Sequence, residues 1–270
     1  MKITFFIGGL SGGGAERVTC NLANSLVEKG HDVVILTMSD EAATYPLSNT
    51  IKRQSLILVN ERKGFLYNTI LRLFRFVKTI CTSDTDIYIV MLPVTTIMLL
   101  QMRWLTKSKV IASERVDPSI YPLKKQKQLK RLAHKADGWV FQTEEERNWY
   151  GVSIGNADVS IIPNAINPDF IKPAYEGERQ KVVVTAGRLT EQKNHILLLK
   201  AFSKIHSEYQ EYKLIIYGDG EKMNELKAIA KQLNIENFVE LPGYTTIIGE
   251  KIKDASLFVL SSDYEGMPNA

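Results

Sequence analysis

Short apolar runs of strand length alternate along this chain with longer amphipathic stretches. The runs fall near residues 2–7, 32–37, 55–59, 86–91, 108–113 and 138–142, then near 181–186, 213–217, 237–241 and 256–260. Runs that stay apolar instead of alternating belong to strands buried on both faces. Between them apolar residues recur at helical spacing, as in Val18, Leu22 and Leu26, or Leu197, Leu198, Ala201, Phe202 and Ile205. This βαβ rhythm predicts an α/β fold of parallel sheets covered by helices. The rhythm breaks at Ile162-Pro163-Asn164-Ala165-Ile166-Asn167-Pro168-Asp169, a Pro/Asn-rich stretch that suits a hinge. Two doubly wound domains are expected, 1–165 and 166–270, facing a cleft with ligands at the carboxyl ends of their strands.

The turns that end these strands carry the candidate chemistry. Gly8-Gly9-Leu10-Ser11-Gly12-Gly13-Gly14 separates the first strand from the first helical pattern. Consecutive glycines let a ligand approach the backbone, and a helix N-terminus placed after them suits an anion. A dinucleotide fingerprint would need a third glycine where Arg17 stands, although Asp40 could serve it as a ribose acceptor. After the strand Val182–Ala186 come Gly187, Arg188 and, five residues on, Lys193. A guanidinium fork and an ammonium point charge can grip one diphosphate from two sides. Tyr217-Gly218-Asp219-Gly220 and Leu241-Pro242-Gly243-Tyr244 end two further strands. The last strand runs into Ser261-Ser262-Asp263-Tyr264-Glu265-Gly266-Met267-Pro268-Asn269-Ala270. Pro at a first helical turn lacks only a donor that a helix start leaves unpaired, so Pro268 predicts a helix that begins there.

These turns occur in an order that resembles the family 4 glycosyltransferases, retaining enzymes of the GT-B fold common in bacterial polysaccharide assembly. The resemblance covers the whole chain and rests on Gly12–Arg17, Gly187–Leu189 with Lys193-Asn194, Tyr217–Gly220, Leu241–Gly243 and Glu265–Asn269. It implies two Rossmann-like domains, an acceptor-side one over 1–165 and a nucleotide-sugar-binding one over 166–270. It implies that Arg188 and Lys193 clamp the donor diphosphate and that Glu265 holds donor sugar hydroxyls. Gly13, Gly14, Gly187, Gly218, Pro242, Gly243, Gly266, Met267, Pro268 and Asn269 complete the expected donor contacts. A second Glu, which in the family's E-x7-E pattern holds the ribose, would fall beyond Ala270, so the second domain is expected to be incomplete. Glu114, after the strand Ser108–Ser113, is a further candidate to face a sugar, with Asp117 behind it.

Composition narrows the partners. The 270 residues carry a formal net charge of +4, with 44% apolar and 24% charged residues, and are long enough for two cores. Cys20 and Cys81 form no metal or redox spacing, which suits a reducing cytoplasm. The longest uncharged stretch, Ile87 to Met102, is interrupted by Pro93 and is short for a membrane span. Residues 1–165 hold 21 basic and 15 acidic side chains, residues 166–270 hold 13 and 15. Lys124, Lys125, Lys127, Lys130 and Arg131 form one basic cluster, and Arg72, Arg75 and Lys78 lie on the apolar-faced stretch Phe65–Ile80. Such a stretch is either a helix on an anionic membrane surface or a solvated helix whose stripe packs on its own sheet. Nucleic acid is not expected, since no recognised binding motif is present. His31, at the entry to the second strand, reads as structural, and His134, His195 and His206 have no carboxylate or Cys at ligand spacing, so no metal is expected either.

The expected activity is retaining transfer of a sugar from a nucleoside diphosphate donor, UDP-linked, to a glycan or lipid-linked glycan. The expected location is the cytoplasm, peripheral to the membrane's inner face. No cofactor beyond the donor substrate is called for. A sugar-nucleotide-binding module without turnover and a GT-B-fold epimerase remain as alternatives.

Overall fold

The computed structural model describes all residues except 62, 167–170, 172, 174, 266 and 268–270. They divide into two compact units, the first built on Met1–Asn164 and the second on Ala165–Glu265.

In the first unit the strands β1 (Lys2–Ile7), β2 (Asp32–Thr37), β3 (Lys52–Ser55), β4 (Ile87–Met91), β5 (Lys109–Ser113), β6 (Gly138–Phe141) and β7 (Asp158–Ile161) form one sheet, in the order β3-β2-β1-β4-β5-β6-β7. Every neighbouring pair in it is parallel. Its helices are α1 (Gly14–Glu28), α2 (Phe65–Thr82), α3 (Pro93–Gln101), α4 (Leu123–Leu132) and α5 (Glu144–Tyr150). The reversal of strand order at β1 and the right-handed rule for crossovers put α1 on one face and α2 to α5 on the other.

The two cores obey that division. Ile3, Phe5, Ile7 and Ile35 pack with Cys20 and Ala23 of α1, while Phe6 and Leu36 point the other way onto Phe76, Leu99, Leu129 and Tyr150. Successive strand residues alternate faces, so an uninterrupted apolar strand feeds both cores. The Phe6 and Phe76 rings stack at 5.0 Å between centroids.

The expected strand at 55–59 is corrected. The paired residues are Lys52–Ser55, in register with Val34–Thr37 of β2, and Leu56 and Ile57 follow the strand as buried plugs. An edge strand exposes much of its surface and tolerates polar residues, so the apolar peak marks the plug and not the ladder. β7, also at an edge and mostly exposed, only alternates Val159 and Ile161 with polar residues and shows no continuous apolar run.

The second unit holds β8 (Gln180–Ala186), α6 (His195–His206), β9 (Lys213–Tyr217), α7 (Met223–Gln232), β10 (Val239–Gly243), α8 (Ile248–Ile252) and β11 (Ala255–Phe258). Its sheet is parallel with the order β10-β9-β8-β11. Val183, Leu214 and Ile216 pack with Leu198, Leu199 and Phe202 of α6 and Leu226 and Ala230 of α7. β10 lies two residues later than the apolar run at 237–241, and β11 ends at Phe258, although the Val259 N–H still donates to the Val184 carbonyl at 2.9 Å. The helix expected from Pro268 lies outside the described residues.

Candidate functional site

Sheet order brings the candidate residues of the second unit together. β8 and β11 are parallel neighbours, so their carboxyl ends open side by side. Gly187–Asn194 leaves the first and Ser261–Glu265 leaves the second. Hydrogen bonds join the two segments: the Asp263 N–H donates to the Gln192 carbonyl at 2.9 Å, Gln192 Nε2 to the Tyr264 carbonyl at 3.0 Å, and Ser261 Oγ to the Lys193 carbonyl at 2.9 Å. Asn194 Nδ2 donates to Asp263 Oδ1 at 2.7 Å. Across this seam Lys193 Nζ pairs with Glu265 Oε1, both side chains being largely shielded.

Asn194 fixes where α6 begins. It sits in the left-handed region at φ 42°, and its Oδ1 accepts from the Leu197 N–H at 3.1 Å. Asn tolerates both roles, left-handed backbone and N-cap. The Lys193 stem then lies over Gly187, whose missing Cβ would stand 3.6 Å from Lys193 Cδ. Arg188 is exposed and forms no ion pair among the described residues.

The neighbouring glycine turns form the floor. The Gly187 N–H donates to the Tyr217 carbonyl, the Leu189 N–H to the Asp219 carbonyl, and the Gly218 N–H to the Gly243 carbonyl, at 3.0, 2.9 and 2.9 Å. Gly218 has φ 139°, and a Cβ there would collide with the Gly187 carbonyl oxygen. At Gly220 it would meet main-chain atoms of Leu189 at 2.5–2.8 Å. These glycines therefore let successive strand-end turns stack backbone on backbone. Gly243, at φ 89°, closes the row, with the Tyr244 N–H on Asp219 Oδ2 at 3.1 Å and Pro242 exposed beside it.

His195 begins α6 directly behind Lys193. It is buried, and burial, with Lys193 adding to it, lowers its pKa to about 4. The ring is therefore neutral at pH 7 and adds no charge to the edge.

In the first unit Gly13 is the residue before α1, and Gly14 is its first residue. Gly12 takes φ 98° against Thr44, and Gly13 is extended, close to the Glu16 carboxylate. Glu114, the candidate after β5, is buried, only 3% exposed. Its Oε2 accepts from the Tyr150 hydroxyl at 2.7 Å and its Oε1 from the Tyr121 hydroxyl at 2.9 Å and the Arg115 N–H at 3.1 Å. Burial outweighs these bonds and pushes the carboxyl up to about 7. Arg115 reaches Asn164 Oδ1 at 3.0 Å, and the buried Glu146 accepts from the Gln142 N–H at 2.7 Å. Nothing in sequence spacing pointed to this cluster, because its members meet only when three connections fold over one strand end. Met267 groups with this unit, while Gly266, Pro268 and Asn269 lie outside the described residues.

The sequence and the architecture find counterparts among known proteins. The sequence profile described as "Glycosyltransferase Family 4" matches residues 12–170, and that of "Glycosyl transferases group 1" matches residues 168–270. The chain belongs to glycosyltransferase family 4. A Campylobacter jejuni relative, GalNAc-alpha-(1->4)-GalNAc-alpha-(1->3)-diNAcBac-PP-undecaprenol alpha-1,4-N-acetyl-D-galactosaminyltransferase, is 29% identical over 99% of this chain and 75% of its own length. The amylovoran biosynthesis glycosyltransferase AmsD of Erwinia amylovora is 24% identical over 99% of this chain and 76% of its own. Among solved structures, Anabaena Alr3699/HepE in complex with UDP and glucose superposes with a TM-score of 0.76 at 17% identity, over 97% of this chain and 74% of that one. That likeness shows the GT-B fold. This family 4 member is thus a transferase of the polysaccharide-biosynthesis type, as the order of its turns implied.

Proposed function

We propose that this glycosyltransferase takes its sugar from a nucleoside diphosphate donor, UDP-linked, and delivers it with retention to a glycan or lipid-linked glycan. The observation that carries the reading is the seam between Gly187–Asn194 and Ser261–Glu265. It sets an exposed guanidinium, an ammonium and a carboxylate at one carboxyl edge of a parallel sheet. Ligands of open parallel sheets bind at that edge. HepE, solved with UDP and glucose, supports the donor class. The Campylobacter relative, named for a diphospho-undecaprenol glycan, supports a lipid-linked acceptor.

In this reading the anomeric carbon–phosphate oxygen bond breaks as the acceptor hydroxyl attacks from the same face. Its proton passes to the departing phosphate oxygen. Arg188 and Lys193 stabilise the charge that develops on the diphosphate, by fixed electrostatics. Glu265 accepts hydrogen bonds from donor sugar hydroxyls, and until a donor arrives it holds the Lys193 ammonium in place. The glycine turns, with Gly187, Gly218, Pro242 and Gly243, shape the floor, and Gly13, Gly14, Gly266, Met267, Pro268 and Asn269 remain proposed donor contacts. Glu114 remains a proposed sugar-side residue, held at its strand end by the Tyr121 and Tyr150 hydroxyls. The reading uses no resident metal or prosthetic group and places the chain in the cytoplasm. No helix among the described residues is long and apolar enough to cross a membrane.

The test incubates the protein with a panel of UDP-sugars, with and without a lipid-linked oligosaccharide, and assigns the product anomer by NMR. Acceptor-dependent formation of a product that keeps the donor's anomeric configuration is expected. Donor conversion without acceptor would instead identify an epimerase, and donor binding without any conversion a module without turnover.

A further inference from the structure

One residue of the first unit breaks the alternation of its strand. Along β4 the side chains take the two faces of the sheet in turn. Tyr88 and Val90 lie in the core under α2 to α5, Ile89 and Met91 in the core under α1. Leu92 follows Met91 and by alternation belongs with Val90. It packs instead on the α1 side, on the cluster that holds Ile7, Leu10, Cys20 and Met91. The backbone makes this change of face, with Leu92 at φ 75° and ψ 153°. A Cβ in that region crowds the neighbouring carbonyl, and glycine alone adopts it without cost.

The strained residue is held from several sides. Pro93 confines the residue before it to an extended ψ. The Leu92 carbonyl accepts from the Thr96 N–H at 3.1 Å and from the Thr95 and Thr96 hydroxyls at 3.1 and 2.8 Å. The strand has already ended at Met91, and α3 starts only at Pro93. What the conformation secures is therefore the place of the side chain.

That place borders a crevice of the first unit. β1 and β4 are parallel neighbours, but the chain leaves β1 towards β2 and leaves β4 towards β5. Ligands of open parallel sheets bind where the winding reverses in this way. One lip of the crevice is the turn over residues 8–14, in which five of seven residues are glycine. Ser11 is exposed, so packing of this turn comes down to Leu10, which is fully buried. Its main chain is tied to the rest by the Met38 N–H on the Gly8 carbonyl at 3.1 Å and the Thr44 N–H on the Leu10 carbonyl at 3.0 Å.

We infer that Leu92 is a positioning residue for the glycine turn, its side chain turned by a strained backbone onto the cluster in which Leu10 anchors that turn. The consequence for donor binding rests on the proposed contacts of Gly13 and Gly14. The full chain is compared as wild type, Leu92→Met, Leu92→Ala and Leu92→Gly, in denaturant midpoint, amide exchange and affinity for a UDP-sugar. Alanine and glycine both remove the packing, but only glycine relieves the backbone. Leu92→Gly should therefore be the more stable of the two, the reverse of the usual order. In both, the Met38 and Thr44 amides should exchange about tenfold faster relative to amides within β1 of the same variant, the ratio that loss of one partly buried side chain gives. A side chain that merely fills the core would instead loosen β1 and the turn alike. Leu92→Met conserves the bulk and should restore wild-type exchange. Both small variants should bind the UDP-sugar more weakly. Leu92→Ala more stable than Leu92→Gly, or Met38 and Thr44 amides that keep step with β1, would overturn the inference. Loosened amides with unchanged UDP-sugar affinity would uphold it and instead remove Gly13 and Gly14 from the donor contacts.

Discussion

Lys193 and Glu265 lie 72 positions apart and form an ion pair across the carboxyl ends of two adjacent parallel strands. Each comes from a turn that says little alone. Their meeting is enforced by the neighbouring positions of β8 and β11 and by the hydrogen bonds that run along both turns.

Lys193→Ala is expected to lower turnover by about 10²–10³, the usual loss for one stabiliser of developing charge. Arg188→Lys should also slow the reaction, because an ammonium cannot reproduce the guanidinium fork. Steady-state kinetics with saturating acceptor measure both. Wild-type turnover in the two variants would remove the diphosphate clamp from this loop.

Gly218→Ala should destabilise the second unit, whereas Gly187→Ala should not. The first places a Cβ against the Gly187 carbonyl at a backbone angle of φ 139°; the second meets only the Lys193 stem at 3.6–3.7 Å. A cost on the order of 1–3 kcal/mol is expected for the strained position. Denaturant melts of the two variants, followed by donor titration, would show whether the turn floor has this asymmetry.

Asn194→Ala removes an N-cap, the bond to Asp263 and a residue suited to left-handed backbone. A loss of about 1–2 kcal/mol is expected. Asn194→Gly keeps the backbone preference and should cost less in stability, yet it too loses the tie to Asp263. Both variants should therefore weaken donor affinity, and calorimetric titration with a nucleotide sugar checks it.

Burial raises the Glu114 carboxyl to about 7 in the folded chain, above its unfolded value. The folded state then binds its proton more tightly, so this group costs nothing below the unfolded pKa. The cost grows as pH rises and is complete above about 7. It amounts to about 3 kcal/mol at most, because each tenfold change in proton affinity is worth about 1.4 kcal/mol. Glu114→Gln should flatten that part of the profile and gain stability relative to wild type at pH 8 compared with pH 5. A difference between variant and wild type that does not change with pH would exclude a buried proton on Glu114.

His195 works in the opposite sense. Its folded pKa is lowered to about 4, so the folded state resists protonation and loses stability as pH falls from about 6.5 towards 4. His195→Gln should remove this acid-side loss. Thermal melts between pH 4 and pH 7 would show equal slopes for variant and wild type if the ring were freely solvated.

Local sequence determined the strands that run through both cores, the glycine turns that end them and the family to which their order belongs. β1 and β8 carry buried apolar residues, broken within their buried lengths only by Thr4 and Thr185, and each is followed by glycine, so a doubly buried strand suits them. The edge strands of the first unit were misplaced or missed, because β3 and β7 face solvent and need no apolar run. Tertiary structure alone decided which turns became neighbours, since strand order is set by crossovers and not by sequence distance. It paired Lys193 with Glu265 and withdrew Glu114 beneath Tyr121 and Tyr150. It also split the apolar stripe of α2 into a buried half, at Phe76 and Ile80, and a bare half, at Leu66 and Ile70. Periodicity records which face of a helix is apolar; only the extent of the sheet beneath decides how much of that face is covered.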